Sequence, residues 1–282
     1  MASMRERLLD LGTTRTPLLE AGPQDGTEAV IFVHGNPGSA SDWRDLLKTA
    51  ATRCRAVAFD MPGFGRCRRP TGFKAEVSSY AHFIELARRA LGIETVHLVV
   101  HDFGGPFGLV WGLRHPERWR SVVLINVGVL PGYRWHTMAR LWRTPIVGEL
   151  VQAWVPKFAW EALMARTNPK GLPPAFVEKM YREYDRETRN TVLELYRATP
   201  DLTAGWQELG AAFAKLRKPA LVIWGERDPF IPARYAPMQR EFFDVREELL
   251  LADSGHWPFQ DDPQPVKEAL ERFLAEQVGA AS

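Results

Sequence analysis

The chain has 282 residues, of which 45% are hydrophobic and 25% are charged, and its formal net charge is +2. This length suits one large α/β domain with an inserted subdomain, and the charge gives no indication of a nucleic-acid partner. No apolar run is long enough to span a bilayer, so we expect no membrane partner either.

Two cysteines, Cys54 and Cys67, allow at most one disulfide, and the histidines lack the spacing of metal ligands. The segment 1–10 is charged and has no apolar core, so it does not resemble a signal peptide. We expect a cytoplasmic protein with reduced thiols, no metal and no cofactor.

Short runs that are apolar on both faces indicate buried strands of a parallel sheet. In chain order they cover residues 29–33, 56–59, 96–100, 122–125, 220–224 and 248–251. Segments with helical spacing of apolar residues, at 78–91, 105–115 and 265–274, supply the crossovers that parallel strands require. Polar residues follow several of these strands, at the edge where open parallel sheets hold their active sites.

The segment 128–216 contains no clear strand and has helical spacing at 176–184 and 187–197. We interpret it as a helical cap, inserted into a core domain formed by residues 1–127 and 217–282. Its aromatic residues are typical of a roof over an apolar pocket, and we expect fewer than half of them to line it. They include Trp135, Trp142, Trp154, Phe158 and Trp160.

The segment 98–105 is an apolar strand that ends abruptly at Asp102 and continues into two glycines and a helical pattern. This layout is typical of a nucleophile elbow, a strained turn that small neighbours allow. A carboxylate in that position attacks a saturated carbon and leaves an alkyl ester on the enzyme. The structural alternative for Asp102 is an N-cap of a buried helix.

Two further polar residues follow later strands, Asp228 after 220–224 and His256 after 248–251. His256 is the expected base that activates water against the ester, and Asp228 is the expected carboxylate that orients it. Glu226 is the rival acid, but Pro229 fixes a turn that favours Asp228. The backbone N–H groups of Asn36 and Phe103 are the candidate oxyanion donors.

These residues carry a resemblance to the α/β-hydrolase superfamily over nearly the whole chain, in the branch of epoxide hydrolases and haloalkane dehalogenases. Nucleophile, acid and histidine occur in the chain order of that superfamily. The matching pieces are His34-Gly35-Asn36-Pro37, Trp43, Asp60-Met61-Pro62-Gly63-Phe64-Gly65, His101-Asp102-Phe103-Gly104-Gly105, Asp228 and Gly255-His256-Trp257.

The resemblance implies different helpers for the two reactions. Dehalogenases typically bind the halide with an Asn after His-Gly, which Asn36 matches, and a Trp after the nucleophile, where this chain has Phe103. Epoxide hydrolases typically use cap tyrosines, the second in a Tyr-Arg pair that Tyr196 matches, and usually carry an aromatic residue where Asn36 stands. The first cap donor stays open among Tyr133, Tyr181 and Tyr184, with Trp135 or His136 as substitutes. The expected substrate-binding residues are Trp43, Tyr133, Trp135, Trp142, Tyr181 and Trp257.

We therefore expect an epoxide hydrolase that uses Asp102, His256, Asp228 and Tyr196 on a small apolar or aromatic epoxide and water. A haloalkane dehalogenase with the same ester intermediate is the first alternative. A non-catalytic ligand-binding protein on the same fold is the second, because a fold does not determine a function. We expect a monomer or a homodimer.

Overall fold

The computed structural model describes residues 3–199 and 202–279. Its central sheet has eight strands in the order β1-β2-β4-β3-β5-β6-β7-β8. The strands are β1 (Arg5–Asp10), β2 (Arg15–Ala21), β3 (Glu28–Val33), β4 (Arg55–Phe59), β5 (Thr95–His101), β6 (Trp119–Ile125), β7 (Pro219–Gly225) and β8 (Asp244–Leu251). The pairs from β4 to β8 are all parallel, so their carboxyl ends lie along one edge.

The six predicted strands are confirmed as β3 to β8. Strand β4 is buried throughout, and β3 and β5 are buried beyond their first residues, as expected for parallel strands covered on both faces. Strands β6 and β8 begin earlier than predicted, at Trp119 and Asp244, because their first residues are more polar than the apolar runs that marked them.

The amino-terminal hairpin of β1 and β2 was not predicted. It pairs antiparallel within itself and with β4, at one end of the sheet. Strand β1 is almost entirely exposed and charged, and β2 contains Pro17, so neither shows the apolar pattern of a buried strand.

Five helices of the described chain pack around the sheet. They are α1 (Arg44–Ala50), α2 (Val77–Ala90), α3 (Gly104–Arg114), α10 (Pro258–Asp261) and α11 (Pro263–Gln277). Helices α2, α3 and α11 confirm the three predicted crossover segments. The chain is thus an α/β fold with a mostly parallel sheet between helices.

Six more helices lie between β6 and β7 in the described residues, and we call them the inserted helices. They are α4 (Thr137–Arg143), α5 (Val147–Ala153), α6 (Lys157–Thr167), α7 (Pro174–Glu183), α8 (Arg186–Ala198) and α9 (Leu202–Leu216). The helical patterns at 176–184 and 187–197 correspond to α7 and α8. The interpretation of 128–216 as a cap domain stays a prediction.

Cys54 and Cys67 are free and buried. Burial raises the pKa of each thiol to about 12, so both stay protonated at neutral pH. Among the described residues, no helix combines the length and the apolar character needed to cross a membrane.

Candidate active site

Asp102 occupies the sharp turn between β5 and α3. Its φ is +50°, a left-handed conformation that residues other than glycine rarely adopt. The turn depends on Gly104, because a Cβ there would lie 2.1 Å from the carbonyl oxygen of Val33. The side chain of Asp102 retains only 11% of its exposure. The strained turn expected of a nucleophile elbow is therefore present.

The carboxyl edge of the sheet brings together the three side chains that the sequence picks out. His256 Nδ1 lies 2.7 Å from Asp228 Oδ2, and His256 Nε2 lies 3.6 Å from Asp102 Oδ2. Asp228 and His256 are buried, Asp102 is nearly so, and the three face one another across the ends of β5, β7 and β8. The imidazole can thus exchange a proton on one side while a carboxylate holds the other.

Asp228 is held by four hydrogen bonds in total, one of them to His256. Its Oδ1 accepts from the backbone N–H groups of Phe230 and Ile231, at 2.7 and 3.1 Å. Its Oδ2 also accepts from Asn126 Nδ2 at 2.7 Å. Asn126 thus supports the acid, and the rival Glu226 is exposed to solvent.

The two carboxylates determine the charge of His256. Burial disfavours the imidazolium form, but Asp228 and Asp102 outweigh it and raise the pKa of His256 to about 10. Burial likewise opposes ionisation of Asp102, yet the neighbouring His256, 3.6 Å away, lowers the pKa of that carboxyl. The resting site therefore holds an imidazolium between two carboxylates.

His101 is a supporting residue that the sequence analysis placed in the motif around Asp102 without assigning it a role. Its Nε2 lies 2.7 Å from the backbone oxygen of His256 and donates to it. Burial and the neighbouring His256 lower the pKa of His101 to about 4, so the ring is neutral. Its place immediately before Asp102 was the available signal.

Asn36 connects the nucleophile position with the inserted helices. Its backbone N–H donates to Asp102 Oδ1 at 2.7 Å, and its Nδ2 donates to the hydroxyl oxygen of Tyr196 at 3.5 Å. Burial and the Asp102 charge raise the pKa of Tyr196 well above its usual value. Tyr196 therefore keeps its proton and can donate it as a hydrogen bond.

His136 provides a second hydrogen-bond donor near Tyr196. Burial lowers the pKa of His136 to about 4, so its ring is neutral. Its Nδ1 accepts the backbone N–H of Ala139 at 3.2 Å, at the start of α4, which leaves the ring proton on Nε2. Its ring centre lies 6.3 Å from that of Tyr196.

A cavity of about 460 Å³ opens above Asp102 and His256. Its wall is mostly apolar and comes largely from α4, α5 and α6, with Asn36, Tyr196, Trp142 and Trp257 also contributing. A smaller cavity of about 40 Å³ also borders Asp102 and is lined by Phe103, Tyr133 and Trp135, among others. Space of this kind suits a small apolar molecule.

The family model for the alpha/beta hydrolase fold matches residues 28–263. The chain belongs to the α/β-hydrolase family. A relative named cis-3-alkyl-4-alkyloxetan-2-one decarboxylase, from Xanthomonas campestris, is 26% identical, and the match covers 91% of each chain. Haloalkane dehalogenase 2 of Mycobacterium tuberculosis is 27% identical, over 86% of this chain and 87% of the relative.

Solved structures of similar fold include epoxide hydrolase A from Mycobacterium thermoresistibile, with a TM-score of 0.80 and 21% identity over 98% of this hydrolase and 99% of that chain. A haloalkane dehalogenase from Bradyrhizobium elkani has a TM-score of 0.82 and 22% identity over 98% of both chains. At these identities the likeness concerns the fold alone.

Two predicted substrate-binding residues of this hydrolase lie away from both cavities. Trp43 is fully buried in the core, where its ring stacks on Phe259 at 4.6 Å. Tyr181 donates its hydroxyl to the backbone oxygen of Val155 at 3.0 Å and does not line the cavities described above. Aromatic type alone did not reveal which way these side chains point.

The remaining aromatic predictions divide between the two cavities. Trp142 and Trp257 line the large one, whereas Tyr133 and Trp135 line only the small one. Tyr133 donates its hydroxyl to the backbone oxygen of Phe230 at 3.1 Å, so that proton is already engaged. Of the five aromatic residues named above for the segment 128–216, all but Phe158 line one cavity or the other, so the expectation of fewer than half was wrong.

Proposed function

We propose that this hydrolase opens an epoxide to a vicinal diol through an alkyl ester on Asp102. The observation that carries the proposal is the link through Asn36, which joins the carboxylate of Asp102 to the protonated hydroxyl of Tyr196. An epoxide between these two groups would meet a nucleophile on its carbon and a donor on its oxygen.

In the first step, Asp102 Oδ2 is the attacking oxygen, because Oδ1 is engaged by the N–H of Asn36. A bond forms from Oδ2 to an epoxide carbon, the carbon–oxygen bond of the ring breaks, and its electron pair stays on the epoxide oxygen. Tyr196 donates its proton to that oxygen, which becomes a hydroxyl. The Nε2–H of His136 is a second donor within the same wall.

Formation of the ester prepares His256 for the second step. An alkylated Asp102 carries no charge, so the contribution that raises the pKa of His256 from that side is lost. The imidazolium then gives up the proton that restores the phenol of Tyr196, and the ring becomes a base. Asp228 keeps the remaining proton on Nδ1.

Hydrolysis of the ester completes the cycle. Neutral His256 takes a proton from water, and the resulting hydroxide attacks the carbonyl carbon of the ester. Negative charge develops on Oδ1, which the N–H groups of Asn36 and Phe103 would stabilise. Collapse of this intermediate breaks the acyl carbon–Oδ2 bond, and the leaving alkoxide takes the proton from His256 and departs as the diol. The new carboxylic acid of Asp102 then gives its proton to His256, which restores the carboxylate and the imidazolium.

One observation favours haloalkane dehalogenation as the second candidate. The indole N–H of Trp135 is buried without a hydrogen-bond partner among the described residues, and Trp135 lines the small cavity beside Asp102. A departing halide needs such donors, because a buried anion is costly unless it is hydrogen-bonded. The side chain of Phe103 has no N–H to offer there.

Trapping the ester would test both candidates. In His256→Gln the base is absent, so the ester should accumulate and be visible by intact-protein mass spectrometry. The variant is incubated separately with aryl epoxides, with bromoalkanes and with a cis-3,4-dialkyloxetan-2-one, the last chosen from the name of the Xanthomonas relative. We expect a gain equal to the whole epoxide.

A gain equal to the bromoalkane minus HBr, with no epoxide adduct, would replace the proposal by dehalogenation. An adduct from the oxetanone alone would indicate a lactone substrate. The matched control is Asp102→Asn/His256→Gln, which should take up no adduct. Absence of any adduct would favour the ligand-binding protein.

A further inference from the structure

The wall of the large cavity contains a polar pair that the proposed mechanism does not use. Gln152 on α5 and Tyr184 at the end of α7 both line this cavity, and each retains only 4% of its exposure. Gln152 Nε2 donates to the hydroxyl oxygen of Tyr184 at 2.7 Å. The sequence offered Tyr184 only as one of several donors and gave no sign of Gln152.

This pair has more hydrogen-bond donors than it uses. The hydroxyl of Tyr184 accepts from Gln152, and no acceptor for its own proton is found among residues 3–199 and 202–279. If the amide of Gln152 is turned around, Tyr184 donates to the amide oxygen and the N–H groups of Gln152 are left instead. In either orientation a donor is left at the cavity wall.

The pair is held in place rather than mobile on the surface. Arg189 donates from Nε to the backbone oxygen of Tyr184 at 3.0 Å and from Nη1 to that of Gln152 at 3.3 Å. Its guanidinium also lies 5.8 Å from the centre of the Tyr184 ring. Burial raises the pKa of Tyr184, so its hydroxyl stays a donor at all ordinary pH values.

Trp160 provides an independent sign of a missing acceptor. It lines the same cavity, retains 4% of its exposure, and its ring centre lies 5.0 Å from that of Tyr184. Its indole N–H is buried without a partner among the described residues. Leaving a buried donor unsatisfied costs about 1–3 kcal/mol, and an acceptor oxygen of a ligand beside Trp160 and Tyr184 would offset that cost.

We propose that Gln152, Tyr184 and Trp160 form a subsite for a neutral acceptor oxygen of the substrate, such as a ketone, ester or ether oxygen. A carboxylate fits less well, because Arg166, the cationic lining side chain of the inserted helices, is exposed and hydrated. The subsite lies on the inserted helices, whereas Asp102 lies at the sheet edge. The substrate is therefore an apolar molecule with two functional groups, an electrophilic carbon and a separate acceptor oxygen.

This inference rests on the proposed function for its electrophile, and a matched pair of substrates tests it. One epoxide carries a methyl ketone at the end of its apolar chain, and the other ends in a hydrocarbon of the same size, each at three chain lengths. The preference for the ketone is the ratio of the two kcat/KM values. We expect Tyr184→Phe to lower this ratio about fivefold at the best chain length, as for one lost neutral hydrogen bond.

The matched control is Tyr181→Phe, one turn earlier in the chain, because Tyr181 does not line the cavity and its hydroxyl already donates to the backbone oxygen of Val155. It should leave the ratio unchanged. If Tyr184→Phe folds poorly because Gln152 loses its partner, Gln152→Met/Tyr184→Phe removes both polar groups and should lower the ratio equally. An unchanged ratio in a folded Tyr184 variant at every chain length would overturn the subsite.

A binding measurement separates this inference from the proposed function. Dissociation constants of phenylalkyl ketones and alkylbenzenes of equal size, followed by tryptophan fluorescence, need no turnover. If no epoxide reacts but Tyr184→Phe removes the preference for ketones, the subsite stands and the proposed function fails. If epoxides react but neither ratio responds to Tyr184→Phe, the subsite fails alone.

Discussion

The proton on His256 makes the stability of this hydrolase depend on pH in the alkaline range. The pKa of His256 is about 10 in the folded protein and 6.5 in an ordinary environment. Between these values the folded protein holds one proton that the unfolded chain has released, so stability falls as pH rises. Below 6.5 both states are protonated and the contribution is complete. The full difference corresponds to at most about 5 kcal/mol, at about 1.4 kcal/mol per pH unit.

Replacement of His256 by Gln should remove this dependence. Urea unfolding of both proteins at pH 7.5, 8.5 and 9.5 gives the free energy of unfolding at each pH. We expect the advantage of the wild type over His256→Gln to shrink by about 3 kcal/mol across this range. Other titrating groups are shared by the two proteins and cancel in the difference. Parallel curves would refute an imidazolium between two carboxylates.

The same urea unfolding measurement on Asp102→Asn tests the proposed change in the pKa of His256 when Asp102 loses its charge. This substitution removes one of the charges that stabilise the imidazolium, as alkylation of Asp102 would. The loss of stability should therefore end at a lower pH than in the wild type, because the pKa of His256 is lower in the folded variant. A pH range of stability loss as wide as that of the wild type would contradict the proposed change of His256 from acid to base.

Two other substitutions test the role of Tyr196 as proton donor and the close packing at the start of α3. Tyr196→Phe removes the hydroxyl next to Asn36 and should lower kcat/KM for epoxides about 100-fold, whereas wild-type rates would exclude Tyr196 as the donor. Gly105→Ala would place a Cβ 2.3 Å from Val127 Cγ2 and should destabilise the fold by about 1–3 kcal/mol in urea unfolding. Adding Val127→Ala should recover part of that loss, and no recovery would mean that the clash is not the cause.

The central strands could be predicted because burial on both faces leaves an apolar run in the sequence. Strand β4 is entirely buried, and its run was visible without a structure. Strand β1 shows the limit of this signal, since five of its six residues are exposed and backbone pairing with β2 holds it. Such a strand is specified by backbone hydrogen bonds and not by its side chains, so the amino-acid composition hardly reveals it.

In the candidate site, residues fixed by strand ends could be predicted and residues fixed by helix packing could not. Asp102, Asp228 and His256 each follow a strand, and parallel strands end at one edge. Gln152 and Tyr184 meet only because the inserted helices fold onto one another, and their spacing in the chain carries no sign of that contact. Tyr181 and Tyr184 share one helical segment, yet only Tyr184 faces the cavity.

The left-handed turn at Asp102 has an evolutionary consequence. Glycine would occupy a φ of +50° without strain, whereas an ordinary residue loses about 1–2 kcal/mol there. The backbone conformation and catalysis therefore favour different residues at position 102. A change to glycine would relieve the strain and keep the cavity, but it would also remove the acceptor of the Asn36 N–H and one of the charges that raise the pKa of His256. Under the proposed mechanism, a working enzyme and a ligand-binding protein descended from it could differ at this one position.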